Sequence, residues 1–286
     1  MASDQQARVA VITGASSGIG KAAAKALAAQ GWRVIGVGRD PGRCAAAEAE
    51  IRAAATPGAQ VEMLISDTAR LARDIAARTP RINALLNNAG GVTRELILTP
   101  EGNEMTFASN HLGHFLLTTR LLPQLRAAAA GSPGAARVIS VSSDAHEYSA
   151  GFDWNDLQLI GNYSVGATYM NVKLANILFT RTLAKRVAAD GIVVHAIHPG
   201  LVDSNFASYG DEAFKGRMAE RMHLAISPEQ GADTMIWLAV SPEGGQSSGG
   251  YYHKRTLTAP SALARDEDAA ERLWLESEKL VGRAGV

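Results

Sequence analysis

Cysteine is nearly missing from this sequence: Cys44 is the only one in 286 residues. No intramolecular disulfide can form, which fits a reducing compartment. Cys44 lies in an Ala-rich, helix-like stretch with no metal-ligand spacing around it, so it reads as packing. An excess of charge of either sign is also missing. Lys and Arg number 28, Asp and Glu number 28, and the formal net charge is zero. Nothing in that balance suggests a basic surface built for nucleic acid. Long apolar runs are absent as well. No stretch reaches the roughly 18 residues a membrane-spanning helix needs. Met1 to Gln6 is polar and leads directly into Val9-Ala10-Val11-Ile12, without the pattern of a signal peptide. The expectation is a soluble, cytoplasmic protein with no membrane insertion.

What is present is a regular alternation. Short β-rich runs stand at Val9–Thr13, Arg33–Val37, Gln60–Ile65, Ala84–Asn87, Arg137–Ser142, Val193–Ile197 and near Tyr251. Several are almost continuously apolar, as in strands covered on both faces. Helical stretches lie between them, near 19–30, 41–55, 68–78, 103–130, 168–190 and 228–240. Alternating strands and helices predict βαβ units with right-handed crossovers. The fold class is therefore α/β: a single-domain, Rossmann-type doubly wound parallel sheet with helices on both faces. No compositional break divides residues 1–286. Within them, 201–226 reads as a substrate loop and 256–286 as a tail. Asp266 to Leu280 reads as an amphipathic helix with Ala269, Ala270, Leu273 and Leu280 on one side.

The first strand runs into Thr13-Gly14-Ala15-Ser16-Ser17-Gly18-Ile19-Gly20 and then into a helix. Glycines allow positive φ and close approach of a pyrophosphate, and the helix aims its free N–H groups at it. After the second strand comes Gly38-Arg39-Asp40. A carboxylate at the strand end would hold the ribose hydroxyls of NAD. Here glycine stands there and Arg39 follows, which suits a 2′-phosphate and favours NADP(H) over NAD(H). The competing reading has Arg39 solvated and Asp40 on the ribose.

Further motifs follow in order: Asn87-Asn88-Ala89-Gly90, Asn110-His111-Leu112-Gly113-His114, Ser142-Ser143, Tyr169-Met170-Asn171-Val172-Lys173 and Pro199-Gly200-Leu201-Val202-Asp203-Ser204. With the glycine turn, this set resembles the short-chain dehydrogenase/reductase family over nearly the whole chain. Gly38-Arg39-Asp40, Asn110-His111-Leu112-Gly113-His114-Phe115 and Lys173-Leu174-Ala175-Asn176 make it most similar to the retinol dehydrogenase-like group. It departs from that group in two ways. Val172 stands where a serine often precedes the lysine, and the N-terminal membrane segment is missing, so retinoid specificity does not carry over.

The resemblance implies an oxidoreductase acting on CH–OH groups with NAD(P), working through Asn110, Ser143, Tyr169 and Lys173. A tyrosine and a lysine four residues apart share one helix face, and a nearby ammonium lowers a phenol's pKa. By resemblance, Lys173 also reaches the nicotinamide ribose, Ser143 polarises the substrate oxygen, and Asn110 holds a proton-relaying water. Ser142 is a rival serine, and the family's register selects Ser143. Tyr163 is a rival tyrosine, but Ala167 stands where its lysine would be. The resemblance lines the cofactor groove with Gly14, Ser16, Ser17, Gly18, Ile19, Gly20, Arg39, Asn88, Ala89, Gly90, Tyr169, Lys173, Pro199, Gly200, Val202 and Ser204. Asp67 and Thr68 would lie at the adenine, unless Asp67 only caps a helix.

Residues 144–168 carry His146, Tyr148, Phe152, Trp154 and Tyr163, and 201–226 carry Phe206, Tyr209, Phe214, Met218 and Met222. Such loops build apolar ligand sites. The expected substrate is a hydrophobic ketone, aldehyde or alcohol. His111, His114, His195 and His198 form no recognisable metal set, so no metal is expected. The resemblance also implies a homodimer or homotetramer through the helices near 103–130 and 168–190. Two other readings share these motifs: a cofactor-binding regulator without turnover, and a cofactor-retaining epimerase or dehydratase. The four catalytic residues together argue against the first. The second needs a larger C-terminal substrate domain than this chain has room for.

Overall fold

The computed structural model describes residues 7–65, 68–204, 206 and 209–282. Among these residues the strands are β1 (Val9–Thr13), β2 (Arg33–Gly38), β3 (Val61–Ile65), β4 (Ala84–Asn87), β5 (Ala136–Val141), β6 (Ile192–His198), β7 (Gly250–His253) and β8 (Thr256–Leu257). They form one sheet in the order β3-β2-β1-β4-β5-β6-β7-β8. Every pairing is parallel except β7 with β8. The direction of winding reverses between β1 and β4. A crevice therefore opens where the carboxyl ends of these strands part, the usual ligand position in such sheets.

The helices are α1 (Gly18–Ala29), α2 (Pro41–Ala54), α3 (Thr68–Arg78), α4 (Met105–Phe107), α5 (Gly113–Arg120), α6 (Leu122–Ala129), α7 (Val165–Arg186), α8 (Glu212–Arg221), α9 (Pro228–Val240) and α10 (Glu267–Gly282). Alternation along β1 sorts them into two layers. Ala10 and Ile12 pack on one face with Leu27 of α1, Ile51 of α2 and Met235 of α9. Val9 and Val11 pack on the other with Ile75 of α3, Leu125 of α6 and Leu183 of α7.

Three helical expectations need correction. The stretch 103–130 is not one helix. Between α4 and α5 the chain makes a π-helical turn over Ala108–Leu112. Its cause is local: Asn110 Nδ2 donates to the Thr106 carbonyl four residues back (2.8 Å), an acceptor the helix would otherwise use. A second break falls at Leu121, because Pro123 lacks an N–H and suits only a first turn. α8 arises inside the expected substrate loop, capped by Asp211, whose Oδ1 accepts from Phe214 N at 2.7 Å.

The tail helix α10 buries more than its small and leucine side chains. Trp274 stacks on Phe179 of α7 (5.9 Å, 13°) and meets Phe115 of α5 edge-on (4.8 Å). Arg186 also lies over the indole, 4.5 Å from its ring centroid. As a result every residue of α7 from Asn171 to Thr180 is buried. The face of α7 that α10 covers is thus occupied within a single chain, so a second copy approaching there meets α10.

Candidate functional site

The end of β1 forms a cradle. Gly14 and Gly18 take φ of +70° and +53°, where an L side chain is strained. A Cβ on Gly20 would stand 2.4 Å from the Gly14 carbonyl oxygen, so α1 and the turn can touch only through glycine. Thr13 and Asn88 lock the turn to β4. The Thr13 hydroxyl accepts from Asn88 N and Ala89 N (2.9 Å each), and Asn88 Nδ2 donates to the Thr13 carbonyl (2.8 Å).

Helix caps mark where an anion belongs. Side chains of Asp40, Ser164, Asp211 and Ser227 cap α2, α7, α8 and α9. Ser17, the N-cap of α1, makes no such bond. The first-turn N–H groups of α1 therefore face the crevice without a side-chain acceptor, beside Ser16, Gly18 and Ile19. A dinucleotide's pyrophosphate fits this cradle.

At the end of β2, a Cβ on Gly38 would lie 2.4 Å from Cys44 Sγ. A ribose-holding carboxylate has no room at that position. The Asp40 carboxylate is engaged in capping α2, accepting from Arg43 N at 2.7 Å. Arg39 and Arg43 both line the cleft, and Arg43 Nη1 donates to Tyr209 Oη at 3.4 Å across it.

The opposite wall carries Ser143, Tyr169 and Lys173. Ser142 and Ser143 follow β5. The buried Ser142 hydroxyl donates to the Lys173 carbonyl (2.7 Å), while that of Ser143 donates to Asp144 Oδ1 (2.8 Å) beside the cleft. Tyr169 and Lys173 project from α7, with the Lys173 ammonium 5.3 Å from the Tyr169 ring centroid. Lys173 Nζ donates to Asn110 Oδ1 and to the Val141 carbonyl, both at 3.4 Å. Asn110 is fully buried and held by the Gly91 and Thr106 carbonyls. Burial pushes the ammonium down to about 8. Burial also holds the Tyr169 phenol above its ordinary 10, and the Ser143 hydroxyl pulls the other way. Desolvation of the phenolate, with the Asp144 carboxylate beside it, outweighs the Ser143 hydrogen bond. Tyr169 keeps its proton at neutral pH.

These groups share one cleft of about 1370 Å³ with Ala89, Gly90, Pro199, Gly200, Val202 and Ser204. Gly20 lies beneath it, and Asn110 behind Lys173. Thr68 begins α3, and Asp67 falls outside the described residues. Of the apolar residues expected at the substrate, Tyr148, Phe206, Tyr209, Phe214 and Met218 do line the cleft. Phe206 and Phe214 stand 5.0 and 6.1 Å from the Tyr169 ring. Phe152 and Trp154 instead pack against one another, with Arg272 of α10 over the indole. The rival Tyr163 is bonded to Thr93.

The short chain dehydrogenase family model matches residues 8–213. The chain belongs to the short-chain dehydrogenase family. This short-chain dehydrogenase is 36% identical to mouse retinol dehydrogenase 13, over 97% of this chain and 84% of the relative. It is 38% identical to human retinol dehydrogenase 12, over 96% and 86%. Among solved structures, an uncharacterized protein from Mycobacterium paratuberculosis superposes with a TM-score of 0.74 at 31% identity, covering 96% of this chain and 92% of that one. The NADP complex of RhlG from Pseudomonas aeruginosa superposes at 0.67 with 27% identity, covering 91% and 97%. The enzyme is thus an oxidoreductase of a family that binds NAD(P)(H). Gly20→Ala should push the cradle open and weaken dinucleotide binding about tenfold or more, read by fluorescence titration. Unchanged affinity would mean that the turn yields where the geometry says it cannot.

Sequence reading missed three features of the site. Asp144 holds Ser143, and a carboxylate directly after the strand-end serine was the available signal. Its Oδ2 lies 3.8 Å from both His198 Nε2 and Arg221 Nη2. Arg43 was readable as the residue four after Arg39. The wall formed by Val92, Thr93 and Met105 carries no motif.

Proposed function

We propose that this enzyme is an NADP(H)-dependent oxidoreductase interconverting a hydrophobic ketone or aldehyde and its alcohol. The observation that carries the reading is convergence. Tyr169, Lys173, Ser143 and Asn110 meet on one wall of a cleft whose other end is the uncapped glycine cradle. The bound nicotinamide supplies or takes up the hydride. Tyr169 gives its proton to the substrate oxygen, or takes it back, and Lys173 beside it eases formation of the phenolate. Ser143 turns its hydroxyl from Asp144 to the substrate oxygen and stabilises the charge that develops there. Asn110 positions the lysine ammonium. Phe206, Phe214 and Met218 supply the apolar side of the cleft and exclude water from the reacting atoms.

Preference for NADP(H) rests on Arg39 and Arg43 at the cleft edge, on the engaged Asp40 carboxylate, and on the lack of room at Gly38. Charge-assisted bonds of this kind are worth about 1.5–3 kcal/mol, so Arg39→Met should weaken NADPH binding about 10- to 100-fold and leave NADH nearly untouched. Turnover assays with both cofactors against bulky and small polar carbonyl compounds test the whole reading. The expected pattern is NADPH oxidation with bulky apolar carbonyls. Equal use of NADH would defeat the cofactor assignment, and activity confined to small polar compounds would defeat the substrate class.

A further inference from the structure

His111 follows Asn110 in the π-helical turn but faces away from the cleft. Its ring is buried among Phe107 (5.1 Å), Phe115 (6.3 Å) and Phe179 (6.1 Å). Its Nε2 stands 2.8 Å from Ser277 Oγ of α10. The Ser277 hydroxyl hydrogen is already engaged, donating to the Leu273 carbonyl at 2.7 Å. With that hydrogen engaged, the Ser277 oxygen is placed to accept from the His111 Nε2–H, and the Asn176 side chain neighbours the same ring. Burial holds this imidazole down to about 4, so it stays neutral at working pH.

The helix that offers Ser277 is firmly seated. Trp274 packs on Phe179 and under Arg186, and Arg186 also pairs with Glu271 at 2.5 Å. Lys185 pairs with Glu267 at 2.8 Å. One turn beyond Ser277, Leu280 and Val281 reach the cleft wall. The π-helical turn thus has a polar anchor on each side: the Asn110 amide towards Gly91 and Thr106, and the His111 ring towards α10.

We propose that Ser277 is a positioning residue: through His111 the C-terminal helix holds the π-helical turn in place and so sets where Asn110 Oδ1 meets Lys173 Nζ. This rests on the reading of Asn110 as part of the acid–base machinery. Removing the Ser277 hydroxyl leaves His111 Nε2–H without an acceptor in an aromatic pocket. The turn then shifts to recover one, and Asn110 shifts with it. Small misplacements of this kind lower turnover without weakening binding.

The test compares purified full-length Ser277→Ala, Ser277→Thr and Asn110→Ala by kcat, KM and NADPH dissociation constant, corrected for folded fraction. Ser277→Ala should lower kcat about tenfold and leave KM and NADPH affinity within about twofold, and Ser277→Thr, which keeps the hydroxyl, should restore kcat. A role confined to stability would lower the melting temperature of Ser277→Ala and leave kcat per folded molecule intact. That result, with Asn110→Ala inactive, overturns the proposal. Full kcat in Asn110→Ala would instead remove the reading of Asn110, and the proposal with it. Should Ser277→Ala fail to fold, Ser277→Cys decides, because a thiol of similar shape is a weak acceptor: a loss of about threefold in kcat supports the proposal and unchanged kcat overturns it.

Discussion

Tyr169→Phe should reduce kcat by about 10³-fold and leave NADPH binding unchanged. The phenol is placed among Ser143, Lys173 and the apolar wall of Phe206 and Phe214. Phenylalanine preserves the ring contacts and the Lys173 ammonium over the ring face, and removes the hydroxyl with its proton and its bond to Ser143. Lys173→Met should also be severely impaired, but for two reasons at once: the cation is gone and Asn110 Oδ1 loses its partner. Steady-state kinetics with a fluorescence titration of the cofactor separates these cases. A Tyr169→Phe enzyme that retains turnover would show that the proton travels by another group.

Acid should unfold the protein early. His111, His114 and His195 are 1%, 4% and 0% exposed. Burial holds them down to about 4, 3 and 4, from an ordinary 6.5. Between pH 6.5 and about 4 the unfolded chain binds protons at these sites that the folded chain does not, so stability falls as pH falls. Three such groups give a slope on the order of 4 kcal/mol per pH unit in that window. Glu104 works the other way. Burial raises its carboxyl, so it takes up a proton in the folded state first, but it is a single group. Lys173 titrates well above the window and adds no slope. Against a total stability of about 5–15 kcal/mol, the histidines are decisive. Calorimetry should show the melting temperature dropping on the order of 10 °C from pH 7 to 5.5. His195→Gln should flatten the dependence, and a melting temperature constant over that range would refute this account.

Much of the architecture was legible because it rests on local rules. β1, β2 and β4 show nearly continuous apolar runs bounded by turn residues, and the glycine turn at 14–20 announces itself. What was not legible depends on groups distant in sequence. The helix over 103–130 breaks where the Asn110 amide competes for a backbone carbonyl, which no hydrophobic period reveals. α8 went unread because Ala213, Phe214, Met218 and Ala219 are its only apolar residues other than Gly216, too few to mark a buried face. Trp274 and Ser277 looked like ordinary members of an amphipathic tail, and their partners Phe179 and His111 come from α7 and the π-helical turn. The fall in Tyr169 acidity follows from burial, which spacing alone does not convey.

The burial of α7 from Asn171 to Thr180 has a consequence for how such an enzyme changes over time. Tyr169 and Lys173 sit on a rail sheathed by the sheet on one side and by α10 on the other. Opening it requires disrupting most of the core, so its amides should exchange hydrogen only through near-global unfolding. α8, which carries Phe214 and Met218, sits at the periphery with most of its side chains in solvent. Substitutions there can reshape what enters the cleft and leave the proton-handling groups where they are. On the proposed reading, substrate range and chemistry lie on separate pieces of the chain, and selection can alter the first without touching the second.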